Sequence, residues 1–296
     1  MNLWIVFSVA AAVFQTVRFM LQKLLSAQKL SASGATFARF LYSAPLVSAA
    51  MAVWLTASGQ GLPGLGAGFW AYGAAGGLAQ IMATVFVVLL FKERNFAVGT
   101  TFAKTEVILT VPVGFVLLGD GVGPAGFGAI LLGLVGVLLL STTPGVGWRA
   151  SRKVVGLGLG SGFLFAISGV CYRGASLAVM NDAPLVRAGL TLAAVTGMQM
   201  LAMAAWLAWR DRGQIAAVWA ARRSAIWIGL TSMAGSFCWF AAFTLQAAAY
   251  VKAVGQVELI LGLSASVLFF REKITGRELA GIAVLGAAIV ALVLVI

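Results

Sequence analysis

The 296-residue chain contains no histidine, which removes the commonest proton relay and the commonest metal ligand. Its two cysteines, Cys171 and Cys238, each lie inside an apolar run without CxxC or Cys/His spacing. Disulfide and zinc roles are therefore not expected, and no cofactor or metal is implied. Charge is scarce at 9% of residues, and negative charge scarcer still, with eight Asp and Glu against 20 Lys and Arg. HExxH, GxSxG and Walker A patterns are all missing, which argues against an enzyme and against an ATP-driven pump. Long polar stretches are missing too, leaving no room for a soluble domain.

What remains is 61% hydrophobic, with a mean hydropathy of +1.03, the composition of a polytopic membrane protein. Apolar segments of roughly 20 residues, the length that crosses a ~30 Å hydrocarbon core, follow one another with short polar breaks. The breaks fall at Gln28 to Ser33, Ser58 to Gly66, Lys92 to Asn95, Gly119 to Gly123, Thr142 to Lys153, Asn181 to Ala183, Arg210 to Arg223, Gln246 to Val251 and Arg271 to Arg277. They delimit ten segments. Period-two alternation is absent and lipid demands internally paired backbone, so each segment is expected to be a helix. The first, from "MNLW", lacks the leading basic residues of a cleaved signal peptide and is expected to be a span. Gly-rich runs such as Gly156 to Gly162 and Gly128 to Val137 suit close helix contact.

The formal net charge of +12 could suggest nucleic acid, but its distribution argues otherwise. Fourteen of the 20 basic residues sit in or beside alternate breaks: Lys23, Lys29, Lys92, Arg94, Arg149, Arg152, Lys153, Arg210, Arg212, Arg222, Arg223, Arg271, Lys273 and Arg277. The opposite breaks carry Asp120 and Asp182, with Lys252 a borderline exception. The positive-inside rule then places the basic loops in the cytoplasm and both termini outside, periplasmic in a bacterial-type inner membrane.

A shift of 152 residues aligns Glu106-Val107-Ile108-Leu109 with Glu258-Leu259-Ile260-Leu261, and Gly119-Asp120 with Arg271-Glu272; a shift of 148 brings Ala38-Arg39 onto Val186-Arg187. The expected organisation is two five-helix halves, residues 1–150 and 151–296, inverted in the membrane because five is odd. Ten helices as five plus five, closed by Leu268 to Leu292 with Glu272, Thr275, Gly281 and Gly286, resemble the drug/metabolite transporter superfamily of the EamA type. The resemblance covers essentially the whole chain, and the first half departs from it by carrying Asp120 in place of glutamate. It implies secondary export of small metabolites, amino acids among them, by alternating access.

Inside the apolar runs a few polar residues stand out. At ~1.5 Å per residue, a helix entered near Phe96 carries Lys104 ~12 Å and Glu106 ~15 Å deep, and one entered near Tyr250 carries Glu258 ~12 Å deep. A charge at such depth costs at least ~2.5 kcal/mol unless it faces protein or water. Lys104 and Glu106 lie ~200° apart around a helix, so each needs its own partner. Thr100 with Lys104, and Lys252 with Gln256, form matching stripes at i, i+4. These stripes and the two glutamates are the expected substrate site, the alternative being glutamates that lock helices together or a lysine pinned by a glutamate. Trp239, Phe243 and Gln246 form an aromatic stripe, and Gln80 and Thr84 a polar pair, that could receive a flat substrate or simply pack. Arg18, Arg39, Arg173 and Arg187 lie within reach of an interface, where arginines also snorkel.

The expected function is secondary export of amino acids, aromatic ones among the candidates, or similar zwitterionic metabolites. The expected partners are this small-molecule substrate and the lipid bilayer; no nucleic acid is expected, and a monomer is plausible. The rival is a flippase for lipid-linked or sugar-linked substrates, with Arg39 and Arg187 as a headgroup clamp.

Overall fold

A computed structural model describes residues 2–26, 31–91, 102–141, 152–270 and 275–296. Thr100 and the residues Lys29, Lys92, Arg94, Arg149, Arg271, Glu272 and Lys273 lie outside the described residues. Among the described residues there is no strand, only an isolated bridge between Leu65 and Val179. The chain is a multi-pass membrane protein, all-helical over the described residues, among which six helices are long and apolar enough to cross a bilayer. Its outward faces are apolar as well: Val116 is 77% and Leu294 80% exposed. In water such faces would drive association, whereas against lipid tails they cost nothing.

The chain forms two compact units, Met1–Ile81 with Cys171–Leu245 and Met82–Val170 with Gln246–Ile296, so each draws on both ends of the sequence. The first unit contains α1 (Leu3–Ser26), α2 (Ala32–Ala57), α7 (Pro184–Arg210), α8 (Arg212–Ala220) and α9 (Arg222–Leu245), together with parts of α3 (Ala67–Phe91) and α6 (Arg152–Leu177). Here α1 packs on α9, and α2 on α7 and α9. The contacts are filled by Phe37, Phe40, Met203, Leu207 and Ile228 at one level and Leu55, Phe69, Val179, Val186 and Leu190 at another. Ser31 caps α2, its hydroxyl accepting from Gly34 N at 3.1 Å. The break expected over Arg210 to Arg223 holds the short helix α8, bound back by Ser31 N donating to Gln214 Oε1 at 2.9 Å and Tyr42 Oη donating to the Val218 carbonyl at 3.2 Å.

The second unit contains α4 (Glu106–Leu118), α5 (Pro124–Ser141), α10 (Ala248–Gly255), α11 (Val257–Phe270) and α12 (Gly276–Val295), with the remaining parts of α3 and α6. Its most intimate pair is α5 on α12, where small residues let backbones meet: a Cβ on Gly136 would stand 2.7 Å from Leu285 N. α4 ends at Gly119, whose φ of 69° places it in the left-handed region while its N–H donates to Phe115 O at 3.0 Å. α12 begins with a capping box. Thr275 Oγ1 accepts from Glu278 N at 3.3 Å and Thr275 N donates to Glu278 Oε2 at 2.7 Å, a local reason for threonine and glutamate at that spacing.

Candidate functional site

Two helices of the second unit are interrupted at corresponding points. Residues 102–103 are helical, Lys104 and Thr105 form a turn, and α4 then starts at Glu106. Likewise α10 ends at Gly255, Gln256 forms a turn, and α11 starts at Val257. A shift of 152 residues carries Lys104 onto Gln256 and Glu106 onto Glu258. At both breaks the hydrogen bonding tightens to i→i−3: Thr105 N donates to Phe102 O at 3.1 Å, and Gln256 N to Ala253 O at 3.2 Å. Both glutamates thereby sit in the first turn of a new helix, where exposed N–H groups and the macrodipole favour a carboxylate. Side chains help to hold the first break, since Thr105 Oγ1 donates to Phe102 O and Thr110 Oγ1 to Glu106 O, both at 2.6 Å. Gly162 of α6 lies against it: a Cβ there would meet Ala103 O at 2.9 Å, Thr105 Oγ1 at 3.1 Å and Glu106 N at 3.3 Å.

The carboxylate of Glu106 is claimed from the other interrupted helix. Lys252 Nζ lies 3.3 Å from Glu106 Oε2, tying α10 to α4, with the two side chains 14% and 13% exposed. The ammonium also stands 5.8 Å from the Phe165 ring centroid, close enough for a cation–π contribution. One turn on, Gln256 Nε2 donates to the Lys252 carbonyl at 3.3 Å, while Gln256 Oε1 is buried with no hydrogen-bond partner among the described residues. Gln256 is the polar member of a narrow, otherwise apolar crevice bounded by Val107, Ile130, Gly133, Ala253 and Leu285, with space for little more than one water molecule. Lys104 is half-buried on the turn and has no ion-pair or hydrogen-bond partner among the described residues. The arrangement thus offers a partly accessible carboxylate–ammonium pair, an unsatisfied amide oxygen and a further lysine. These groups surround two places where backbone departs from α-helix.

The other expected residues belong to the first unit and fall into separate places. Gln80 joins a network that the sequence did not disclose: Tyr172 Oη donates to Gln80 Oε1 at 3.0 Å, and Gln199 Nε2 donates to the same oxygen at 2.8 Å and to Gly77 O at 3.2 Å. Gly76 makes room for it, since a Cβ would lie 2.9 Å from the Tyr172 ring. Trp239 and Phe243 stack at 5.6 Å. They are knitted into the unit by Trp239 Nε1 donating to Gln15 Oε1 at 3.2 Å and Arg173 Nη1 donating to Phe243 O at 2.7 Å. Phe243 is buried, which fits packing better than stacking with a ligand. Gln246 serves locally, its Oε1 accepting from Ala247 N at 2.8 Å.

Arg39 and Arg187 do not come together. Arg39 Nη2 donates to Ser236 Oγ at 3.2 Å, whereas Arg187 Nε donates to the carbonyl of Asn181 beside the start of α7. Gly189, two residues past Arg187, faces Met51. The level of Arg187 is thus about 12 residues, or ~18 Å, along α2 from Arg39. The headgroup clamp expected of a flippase is not formed by this pair.

No family model matches the chain, and no curated protein matches it. Among solved structures, one known as "Crystal structure of protein" is similar with a TM-score of 0.76 at 14% sequence identity, over 99% of this chain and 96% of that one. At that identity the likeness is one of fold.

Proposed function

We propose that the chain is a secondary transporter of the EamA-type drug/metabolite family, exporting amino acids or similar zwitterionic metabolites by alternating access between two inverted five-helix halves. The observation that carries this reading is the pair of helix interruptions, at Lys104–Thr105 and at Gln256, related by the 152-residue shift of the sequence repeat. Discontinuous helices in corresponding positions of two halves are the structural mark of a binding site in transporters built from inverted repeats, because freed N–H and C=O groups inside a bilayer are tolerated only where they meet protein, water or ligand. Helices that the repeat would relate also touch one another: α2 packs on α7, α4 on α10, and α5 on α12, as expected of elements lying next to a pseudo-twofold axis. An isolated carboxylate and ammonium are costly in lipid, so a pair left partly accessible at such a break suits a ligand carrying both charges.

The test is uptake of radiolabelled amino acids into proteoliposomes, with and without a pH gradient. Saturable flux of at least one zwitterionic amino acid is expected. Flux of none, beside transport of a lipid-linked sugar, would transfer the protein to the flippase class.

The proposed orientation has the basic loops in the cytoplasm and both termini periplasmic, in the inner membrane. A C-terminal alkaline phosphatase fusion is expected to be active and a C-terminal green fluorescent protein fusion dark. The reverse pattern overturns the orientation.

A further inference from the structure

We infer that Arg39 of α2, with Ser236 and Ser232 of α9, forms an anion site at mid-membrane within the first unit, and that its ligand is the carboxylate of a solute. The inference goes beyond the transporter reading and does not rest on it, because binding is read without flux. Arg39 Nη2 donates to Ser236 Oγ at 3.2 Å. Ser236 stands near the middle of the 21-residue apolar span Ala225–Leu245, ~16 Å and ~14 Å from its two ends at ~1.5 Å per residue. The guanidinium is thus held away from either boundary. A cation at that depth needs a counter-charge or water, and its own unit supplies no carboxylate there. The acidic residues of the unit, Asp182 and Asp211, lie beyond opposite ends of α7. Arg39 is half-buried and has no carboxylate partner among the described residues.

The serines supply the second, independent observation. Neighbouring hydroxyls on α9 fold back onto their own helix: Thr231 Oγ1 donates to Trp227 O and Thr244 Oγ1 to Phe240 O, both at 2.8 Å, the usual settlement for a hydroxyl in an apolar helix. Ser232 and Ser236 do not. Ser232 is 2% exposed and its Oγ has no hydrogen-bond partner among the described residues, while Ser236 Oγ accepts from Arg39 and donates to none of them. Four positions apart, the two serines share one face of α9 with Cβ atoms ~5–6 Å apart, so one ligand can meet both hydroxyls and the guanidinium. A buried hydroxyl left open in a native structure points to a missing partner. Each group of the cluster holds a donor without an acceptor, which defines the ligand as an anion. One positive charge matches one negative charge, and a dianion would carry an excess charge into the membrane. The planar guanidinium fork pairs with two oxygens at once, which favours a carboxylate over a halide. A phosphodiester has the same charge and oxygens, but lipid headgroups lie at the bilayer surface and this cluster lies at mid-span.

The test is thermal melting of the full chain in detergent, titrated with acetate, 3-phenylpropionate, phenylalanine, phenethylamine, chloride and a short-chain phosphatidylglycerol. At least one of the three carboxylates should raise the melting temperature saturably, and phenethylamine should not. Arg39→Met strands no carboxylate, so it should melt close to the parent without ligand and bind that carboxylate at least tenfold more weakly. Arg39→Lys keeps the charge without the fork and should bind severalfold more weakly. Ser232→Ala removes an unsatisfied hydroxyl, so it should melt at or above the parent and yet bind severalfold more weakly; it carries the test if Arg39→Met does not fold. An arginine that merely ties α2 to α9 would leave Ser232→Ala without any effect on binding. No shift with any carboxylate in the parent, an equal rise with chloride, or parental affinity in Arg39→Met or Ser232→Ala overturns the inference. A rise with phosphatidylglycerol alone assigns the site to a lipid phosphate and overturns the solute carboxylate. None of these results decides the flux test, which stands or fails separately.

Discussion

Lys252→Met should destabilise the protein by up to ~3–5 kcal/mol, the range for removing one partner from a buried ion pair, with the partial access of this pair lowering the loss within it. The reason lies in what is left behind. Glu106 begins α4 with its carboxylate 13% exposed and Lys252 as its cationic partner at 3.3 Å. Methionine fills the space of the lysine stem but supplies no charge, so the carboxylate must draw in water or pull the break apart. Thermal melting in detergent and membrane yield should both fall. Lys104→Met is the control, because Lys104 has no partner among the described residues and its loss leaves the Glu106–Lys252 pair intact. It should melt like the parent, whatever it does to transport. If the two substitutions were equally disruptive, the Lys252 pair would not be what holds α10 to α4.

The asymmetry between those two lysines shows what a linear reading can and cannot reach. Depth counting found Lys104, Glu106 and Glu258 as buried charges in need of partners, and matching stripes brought in Lys252 and Gln256. Which charge answers which is a tertiary fact: the partners are 146 positions apart, and nothing in either stretch encodes the distance between them. The helical character of the described apolar runs was legible, because apolar composition without period-two alternation leaves a chain in lipid no other way to satisfy its backbone. The breaks expected at Arg210 to Arg223 and Gln246 to Val251, however, hold the helices α8 and α10. The interruptions were not legible. Lys104-Thr105 and Gln256 carry no proline, and Gly255 beside the second is one of 36 glycines, so no local signal distinguishes these turns from helix. Gln199 was passed over for the same reason, since a single amide in an apolar run is informative only once Gln80 and Tyr172 are seen beside it.

Arg39 and Arg187 teach the complementary point. The repeat alignment treats them as equivalent, but equivalence does not make them neighbours. If the halves are inverted, equivalent positions near helix ends lie on opposite sides of the bilayer, and only those near the axis can meet. The two arginines end up ~18 Å apart in level, counted along α2 at ~1.5 Å per residue. The interrupted helices, by contrast, carry equivalent residues that stand close enough for α10 to send Lys252 across to α4.

Gly162→Val should impair transport more than any other single change away from the charged groups. In α6 this glycine lets the first break be covered at close range: an added Cβ would sit 2.9 Å from the carbonyl oxygen of Ala103 and 3.3 Å from the amide nitrogen of Glu106. Both are backbone atoms, so no rotamer change can relieve the contact. Either α6 moves off the break, or the turn at Lys104–Thr105 shifts and takes with it the carboxylate that Lys252 holds. Overpacking of this kind typically costs ~1–3 kcal/mol, so the protein should still fold, with a modestly lowered melting point. The larger effect falls on function: a displacement of about 1 Å at a positioned group commonly costs on the order of 100-fold in rate, and a loss of at least tenfold in initial transport rate is expected. Gly156→Val provides the comparison. It lies in the same helix, but an added Cβ there would meet nothing within 4 Å, so it should transport and melt like the parent. Equal rates for the two variants would show that the close approach of α6 to the break is incidental to transport.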